Sequence, residues 1–89
     1  MRSLKAIIDD ENYAWRELCS IDDEIMSYER HIADIRAIPT DCPAKERDIE
    51  GYNRMLRDCL VRREAVVEIL NRRRDELHEY FRELMGVSL

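Results

Sequence analysis

The sequence contains few of the residues that interrupt helices. Its 89 residues include only two glycines and two prolines, too few for the many tight turns of a compact mixed fold. No run of about 18 apolar residues is present, which argues against a membrane-spanning helix. No charged leader precedes an apolar core, so we expect no signal peptide. These absences favour a protein built from long helices.

Cysteine and histidine are also scarce. The three cysteines leave at least one thiol unpaired, and no Cys-x-x-Cys pair offers a redox or zinc motif. Free thiols are typical of a reducing compartment, so we expect a cytoplasmic protein. Cys59 falls at a core position, Cys19 points outward and Cys42 lies in the turn. His31 has no second histidine within reach, and we expect neither a metal site nor a cofactor.

Charged residues are abundant, but they are unevenly distributed. The net charge is −5 at pH 7, and residues 1–43 hold 5 basic and 10 acidic side chains, whereas residues 44–89 hold 10 of each. This acidity argues against nucleic acid as a partner. The basic run Arg72 to Arg74 does not change that conclusion, because about 100° per residue spreads three consecutive side chains around a helix.

Apolar residues recur in the first half at alternating intervals of three and four, the heptad spacing of a helix that packs along one side. The spacing predicts a helix over 4–38, with Ser3 as its N-cap and Pro39 as the residue that ends it. Nine of its ten core positions are apolar. These positions are Leu4, Ile7, Glu11, Ala14, Leu18, Ile21, Ile25, Tyr28, Ile32 and Ile35.

The second half repeats this spacing after a turn over 39–43, which predicts a second helix over 44–85. The numbers of facing core residues add up to 84, so that Leu4 faces Tyr80. Gly86 is expected to end the helix, and Val87 to pack back over its last turn. The chain is thus predicted to be one all-α domain over 1–89, an antiparallel, coiled-coil-like helical hairpin. Its second set of core positions is Ile49, Tyr52, Leu56, Cys59, Arg63, Val66, Leu70, Arg73, Leu77 and Tyr80, continued by Leu84.

Three charged residues interrupt these core positions, which together form the seam. Glu11 and Arg73 have numbers that add up to 84, so they are predicted to face each other as an ion pair within the seam. Such a pair adds little stability, but it penalises slipped alignments that would bury one charge alone. Arg63 faces an apolar residue and is expected to reach sideways toward Glu17 or Glu24, or toward another chain.

One side of the predicted hairpin is apolar, and we call it the apolar flank. Its members all occupy the position that directly follows the second core residue of a heptad. They are Ile8, Trp15, Leu60, Val67 and Phe81. The opposite flank is mostly charged. A hairpin alone cannot cover such a stripe, which is typical of an interface. A second copy could cover it and form a four-helix bundle, a different protein could bind it with Trp15 as the anchor, or a chain end could fold back over it.

The first helix also carries a cluster of carboxylates, which we call the acidic face. A row of carboxylates on a rigid rod could imitate a phosphate backbone, as in some small phage-encoded inhibitors. This alternative predicts an inhibitor that blocks a basic site on a larger protein or nucleoprotein complex. The acidic face consists of Asp9, Asp10, Glu17, Asp22, Asp23 and Glu24.

The six residues from Arg73 to His78 form an R-x-x-x-x-H sequence, which resembles the motif of HEPN ribonucleases. The resemblance implies that these two side chains would act on an RNA phosphate. Because the seam requires Arg73 and His78 falls on the outer surface, a solvated histidine is the alternative. We expect no enzyme and no catalytic residue. The sequence favours a non-enzymatic protein-protein interaction module whose partner is a second copy or another protein, with neither nucleic acid nor membrane involved.

Overall fold

The computed structural model describes residues 2–86, which form two α-helices joined by a short turn. Helix α1 spans Leu4–Ala37 and helix α2 spans Pro43–Met85. The helices pack against each other along their length, and the molecule measures 67 × 18 × 16 Å. The predicted all-α hairpin is confirmed.

Helix α1 begins and ends where the local chemistry requires. The Ser3 hydroxyl accepts a hydrogen bond from the Ala6 backbone N–H at 3.2 Å, so the predicted N-cap is confirmed. At the other end the helix stops at Ala37, one residue before the predicted boundary. Ile38 is already extended, with φ −66° and ψ 123°, because the ring of Pro39 disfavours helical geometry in the residue before it.

The turn is held by a lysine that the heptad pattern does not identify. Lys45 lies in the first turn of α2, and its ammonium donates to the backbone carbonyl of Ile38 at 2.6 Å and that of Arg36 at 3.4 Å. Its side chain is only 14% exposed. A cation at the carboxyl end of a helix satisfies carbonyls that lack intrahelical partners and interacts favourably with the helix dipole. Lys45 therefore caps α1 from the neighbouring helix.

Helix α2 starts at Pro43, one residue earlier than predicted, with Cys42 as its N-cap residue. Proline is well suited to a first helical position, where its missing N–H costs nothing. The helix ends at Gly86, which adopts φ 65° and ψ 22° and donates its N–H to the carbonyls of Arg82 and Glu83. This left-handed end is confirmed. The packing predicted for Val87 lies outside the described residues.

The burial pattern follows the predicted seam closely. All twenty seam positions from Leu4 to Tyr80 are buried or half-buried. The prediction is wrong for Leu84, which is 67% exposed. Helix α1 begins at Leu4, opposite Tyr80, so the last turn of α2 extends past it. Over residues 2–86, the buried residues are Ile7, Ala14, Leu18, Ile21, Ile32 and Cys59.

Contacts between the helices agree with the predicted register. The Cys59 thiol lies 3.6 Å from a carboxylate oxygen of Glu24. Glu24 directly precedes Ile25, the residue that Cys59 is expected to face. Nearer the turn, the rings of His31 and Tyr52 stack with centroids 5.2 Å apart. Each contact lies within one residue of the expected level, so the two helices are aligned in the register in which the numbers of facing core residues add up to 84.

Candidate interaction surface

The apolar flank remains largely open to solvent. Ile8, Trp15, Leu60 and Phe81 are exposed, and Val67 is half-buried. Trp15, the only tryptophan of the chain, is 50% exposed. A tryptophan that is half exposed on a rigid helix offers a large contact area at a small cost in conformational entropy.

A groove of about 430 Å³ runs between the helices on this flank. Trp15 and Phe81 form its walls together with Val67, and seam residues form its floor. Its rim is polar. Apolar walls with a few polar groups at the edge are typical of a protein interface core surrounded by its rim. The remaining lining residues are Glu11, Leu18, Leu70, Asn71, Arg74, Leu77 and His78.

The predicted seam ion pair between Glu11 and Arg73 is wrong. Arg73 instead pairs with Glu76, one turn along its own helix, at 2.6 Å, and lies 3.7 Å from Asp10. Among residues 2–86, no cation lies within 4.0 Å of the Glu11 carboxylate. The two side chains point to opposite sides of the hairpin. Glu11 lines the groove on the apolar flank, whereas the Arg73 guanidinium turns to the opposite flank. A partner three residues away on the same helix also costs little chain entropy to reach.

Arg2 joins Arg73 in a charged cluster near the open end of the hairpin, the end away from the turn. Its guanidinium donates to Glu76 at 2.9 Å and 3.1 Å and also pairs with Asp10. The hydrogen bond from Arg2 lowers the pKa of the Asp10 carboxyl, and the positive charges of Arg2 and Arg73 act in the same direction. Arg2, which precedes α1, and three side chains from the two helices thus close the open end. Arg2 could not be identified from the sequence, because it lies outside the heptad pattern.

The predicted partners of Arg63 also need correction. Its Nε lies 2.9 Å from a carboxylate oxygen of Asp22, not near Glu17 or Glu24. Glu24 pairs with Arg62 at 3.0 Å. Arg63 can leave the seam on the side of Asp22 because its long stem stays half-buried while its charged head reaches solvent.

The acidic face is largely neutralised by neighbouring basic side chains. Four of its six carboxylates have a cation within 4.0 Å, and in the part of the chain that the structure describes only Glu17 and Asp23 do not. A row that imitates a phosphate backbone needs carboxylates free to meet a basic partner. The four pairings are Asp9 with Lys5, Asp10 with Arg2 and Arg73, Asp22 with Arg63, and Glu24 with Arg62.

The two members of the R-x-x-x-x-H sequence lie on different sides of the hairpin. His78 is exposed and borders the apolar groove, whereas the Arg73 guanidinium is engaged with carboxylates on the opposite flank. An arginine and a histidine that share one phosphate must point to the same place. The arrangement within one chain therefore does not assemble such a site.

The cysteines occupy the predicted environments. Cys59 is buried, and burial together with the nearby Glu24 carboxylate raises the pKa of its thiol. Cys19 and Cys42 are exposed. Over residues 2–86, no group of three or more acidic, histidine or cysteine side chains is arranged to hold a metal ion. Neither described helix contains an apolar segment long enough to cross a membrane.

No family model matches this chain, and neither a curated protein nor a solved structure shows significant similarity to it. A functional assignment must therefore come from the surface itself.

Proposed function

We propose that this chain is a non-enzymatic protein-interaction module, and that its apolar flank binds a second copy to form a dimeric four-helix bundle. The observation that carries the proposal is the open groove beside Trp15, which the hairpin builds from apolar walls and leaves uncovered. Four-helix bundles commonly bury such stripes between pairs of helices.

The exposed area supports self-association. The accessible surface is 6915 Å², whereas a compact monomer of 10.7 kDa exposes about 5,500 Å². The excess of roughly 1,400 Å² exceeds the roughly 800 Å² that each partner contributes to a standard interface. A two-helix rod has no third layer to cover its flanks, so a second hairpin supplies what the fold lacks.

The acidic inhibitor is the alternative function. It receives less support, because four of the six carboxylates of the acidic face already pair with basic side chains of the same chain. Ionic strength separates the two functions. Binding by carboxylates should weaken strongly between about 50 and 500 mM salt, whereas association through the apolar flank should not.

The fluorescence of Trp15 provides a direct test, since no other tryptophan contributes. We expect its emission to shift to shorter wavelength with increasing protein concentration, while light scattering reports a mass of two chains. Trp15→Ala should weaken dimerisation at least tenfold, because a central aromatic residue dominates interface energetics.

Tyr13→Ala is the matched control, since Tyr13 is another exposed aromatic residue of α1 but lies on the opposite flank. It should dimerise like the wild type. A wild-type chain that remains monomeric at about 100 μM, well above the range of stable dimers, would contradict the proposal. Equal effects of the two substitutions would exclude the apolar flank as the interface.

A further inference from the structure

The apolar flank does not run the whole length of the rod. Its residues lie in a band that begins with Phe81 near the open end and finishes with Leu60, just past the middle. This band covers about 32 Å at 1.5 Å per residue, roughly half of the 67 Å length of the molecule. Trp15 lies near the centre of the band.

The half of the same side that leads to the turn has a different character. It carries three acidic and two basic residues, and their net charge is −1 in each copy. Two such halves placed side by side would bring like charges together. Its charged residues are Glu29, Arg36, Glu46, Glu50 and Arg57.

We infer that two hairpins dimerise antiparallel and staggered, with only their open-end halves overlapping and their turns pointing away from each other. This inference rests on the proposed self-association and specifies its geometry. A two-fold axis perpendicular to the rods near Trp15 brings Phe81 of one copy to the level of Leu60 of the other. Apolar surface then meets apolar surface, and the acidic halves stay apart in solvent.

The competing arrangements are two fully overlapped dimers, one parallel and one antiparallel. In a parallel dimer the acidic halves lie against each other. In a fully overlapped antiparallel dimer each apolar half lies against an acidic half, which buries charges without partners. The staggered dimer avoids both costs.

The maximum dimension of the dimer distinguishes stagger from full overlap. Small-angle X-ray scattering of the full-length chain should give about 90 Å for the staggered dimer from the helical rise, whereas either full overlap keeps the 67 Å of one rod. A dimer of about 67 Å would overturn the stagger but preserve self-association. A monomer by light scattering would overturn both.

Energy transfer between dyes on Cys42 provides a second distance. With Cys19→Ser removing the other exposed thiol, the two labelled turns lie about 80 Å apart in the staggered dimer, so transfer should be nearly absent. Efficient transfer would identify the parallel dimer and overturn the inference.

Two matched substitutions test the extent of the overlap. Leu60 and Ala33 are both exposed on this side, but only Leu60 lies within the overlapped region. Leu60→Glu should weaken dimerisation more than tenfold, and Ala33→Glu should change it less than threefold, with helicity checked by circular dichroism. Equal weakening by both substitutions would show that the turn half is also covered and would overturn the stagger.

Discussion

At the residue scale, Lys45 fixes the geometry of the turn. Its ammonium donates to two carbonyls at the end of α1 although it belongs to α2. A residue of α2 therefore caps the carboxyl end of α1. A charged donor to otherwise unpaired carbonyls contributes more than a neutral one.

Lys45→Met keeps most of the buried stem and removes the donor. We expect the free energy of unfolding to fall by about 1–2 kcal/mol, because two carbonyls lose a charged partner. Chemical denaturation measured by circular dichroism checks this value. The control is Lys5→Met, whose ion pair with Asp9 is exposed and lies within one helix, and which should cost at most about 0.5 kcal/mol. Equal losses would exclude a capping role for Lys45.

The Asp10 carboxylate should make stability depend on pH. Because Arg2 lowers its pKa in the folded hairpin below the ordinary 3.8, the unfolded chain takes up this proton first as the pH falls. The contribution of Asp10 is therefore present above about pH 4 and is lost as the pH drops through the folded value.

Thermal unfolding between about pH 5 and pH 2 tests this linkage. Asp10→Asn should lower the Tm at pH 5 and lose less Tm than the wild type on acidification. Asp23→Asn removes an exposed carboxylate that, over residues 2–86, has no cation within 4.0 Å. It serves as the control for the general loss of one negative charge. If Asp10→Asn follows the wild-type profile, the cluster with Arg2 does not stabilise the hairpin.

At the element scale, the glycine within α2 and the glycine that ends it should respond in opposite ways to alanine. Gly51 lies within the helix, and a Cβ added there meets no atom within 4 Å. Gly51→Ala should therefore stabilise the chain by about 1 kcal/mol. Gly86→Ala should destabilise it by about 1 kcal/mol, because φ 65° is costly for a residue with a side chain. Denaturation curves of the two variants check the signs, and a shared sign would contradict the helix boundaries.

The helices and their seam could be predicted from the sequence, because side-chain periodicity follows from the repeat of the backbone. The partners of Arg63 and Arg73 could not. Heptad position gives the level of a residue along the hairpin and the side on which it lies. A long flexible side chain, however, can reach any of several carboxylates within a few ångströms. The apolar flank was predictable from the same periodicity. The capping by Lys45 was not, because it depends on the path of the turn.

At the scale of the whole molecule, stability and assembly should be coupled. A two-helix rod with few fully buried residues has a small core, and a partner that binds only the folded state adds to its stability by mass action. We expect the Tm to rise with protein concentration between about 1 and 100 μM. Circular dichroism in cells of different path length measures this, with Trp15→Ala as the variant whose Tm should stay nearly constant. A wild-type Tm independent of concentration would exclude the dimer in this range.

The alignment of facing residues also orders the folding reaction. Contacts are nested around the turn, so that Ile35 and Ile49 close a short loop, whereas Leu4 and Tyr80 enclose almost the whole chain. The entropy lost on closing a loop grows with its length. The pairs nearest the turn should therefore form first, and the others should follow in order toward the open end. Substitutions at Ile35 should then slow folding, and substitutions at Leu4 should mainly speed unfolding, as stopped-flow kinetics would record. The end of the rod that carries the apolar flank would be the last part to close and the first to open.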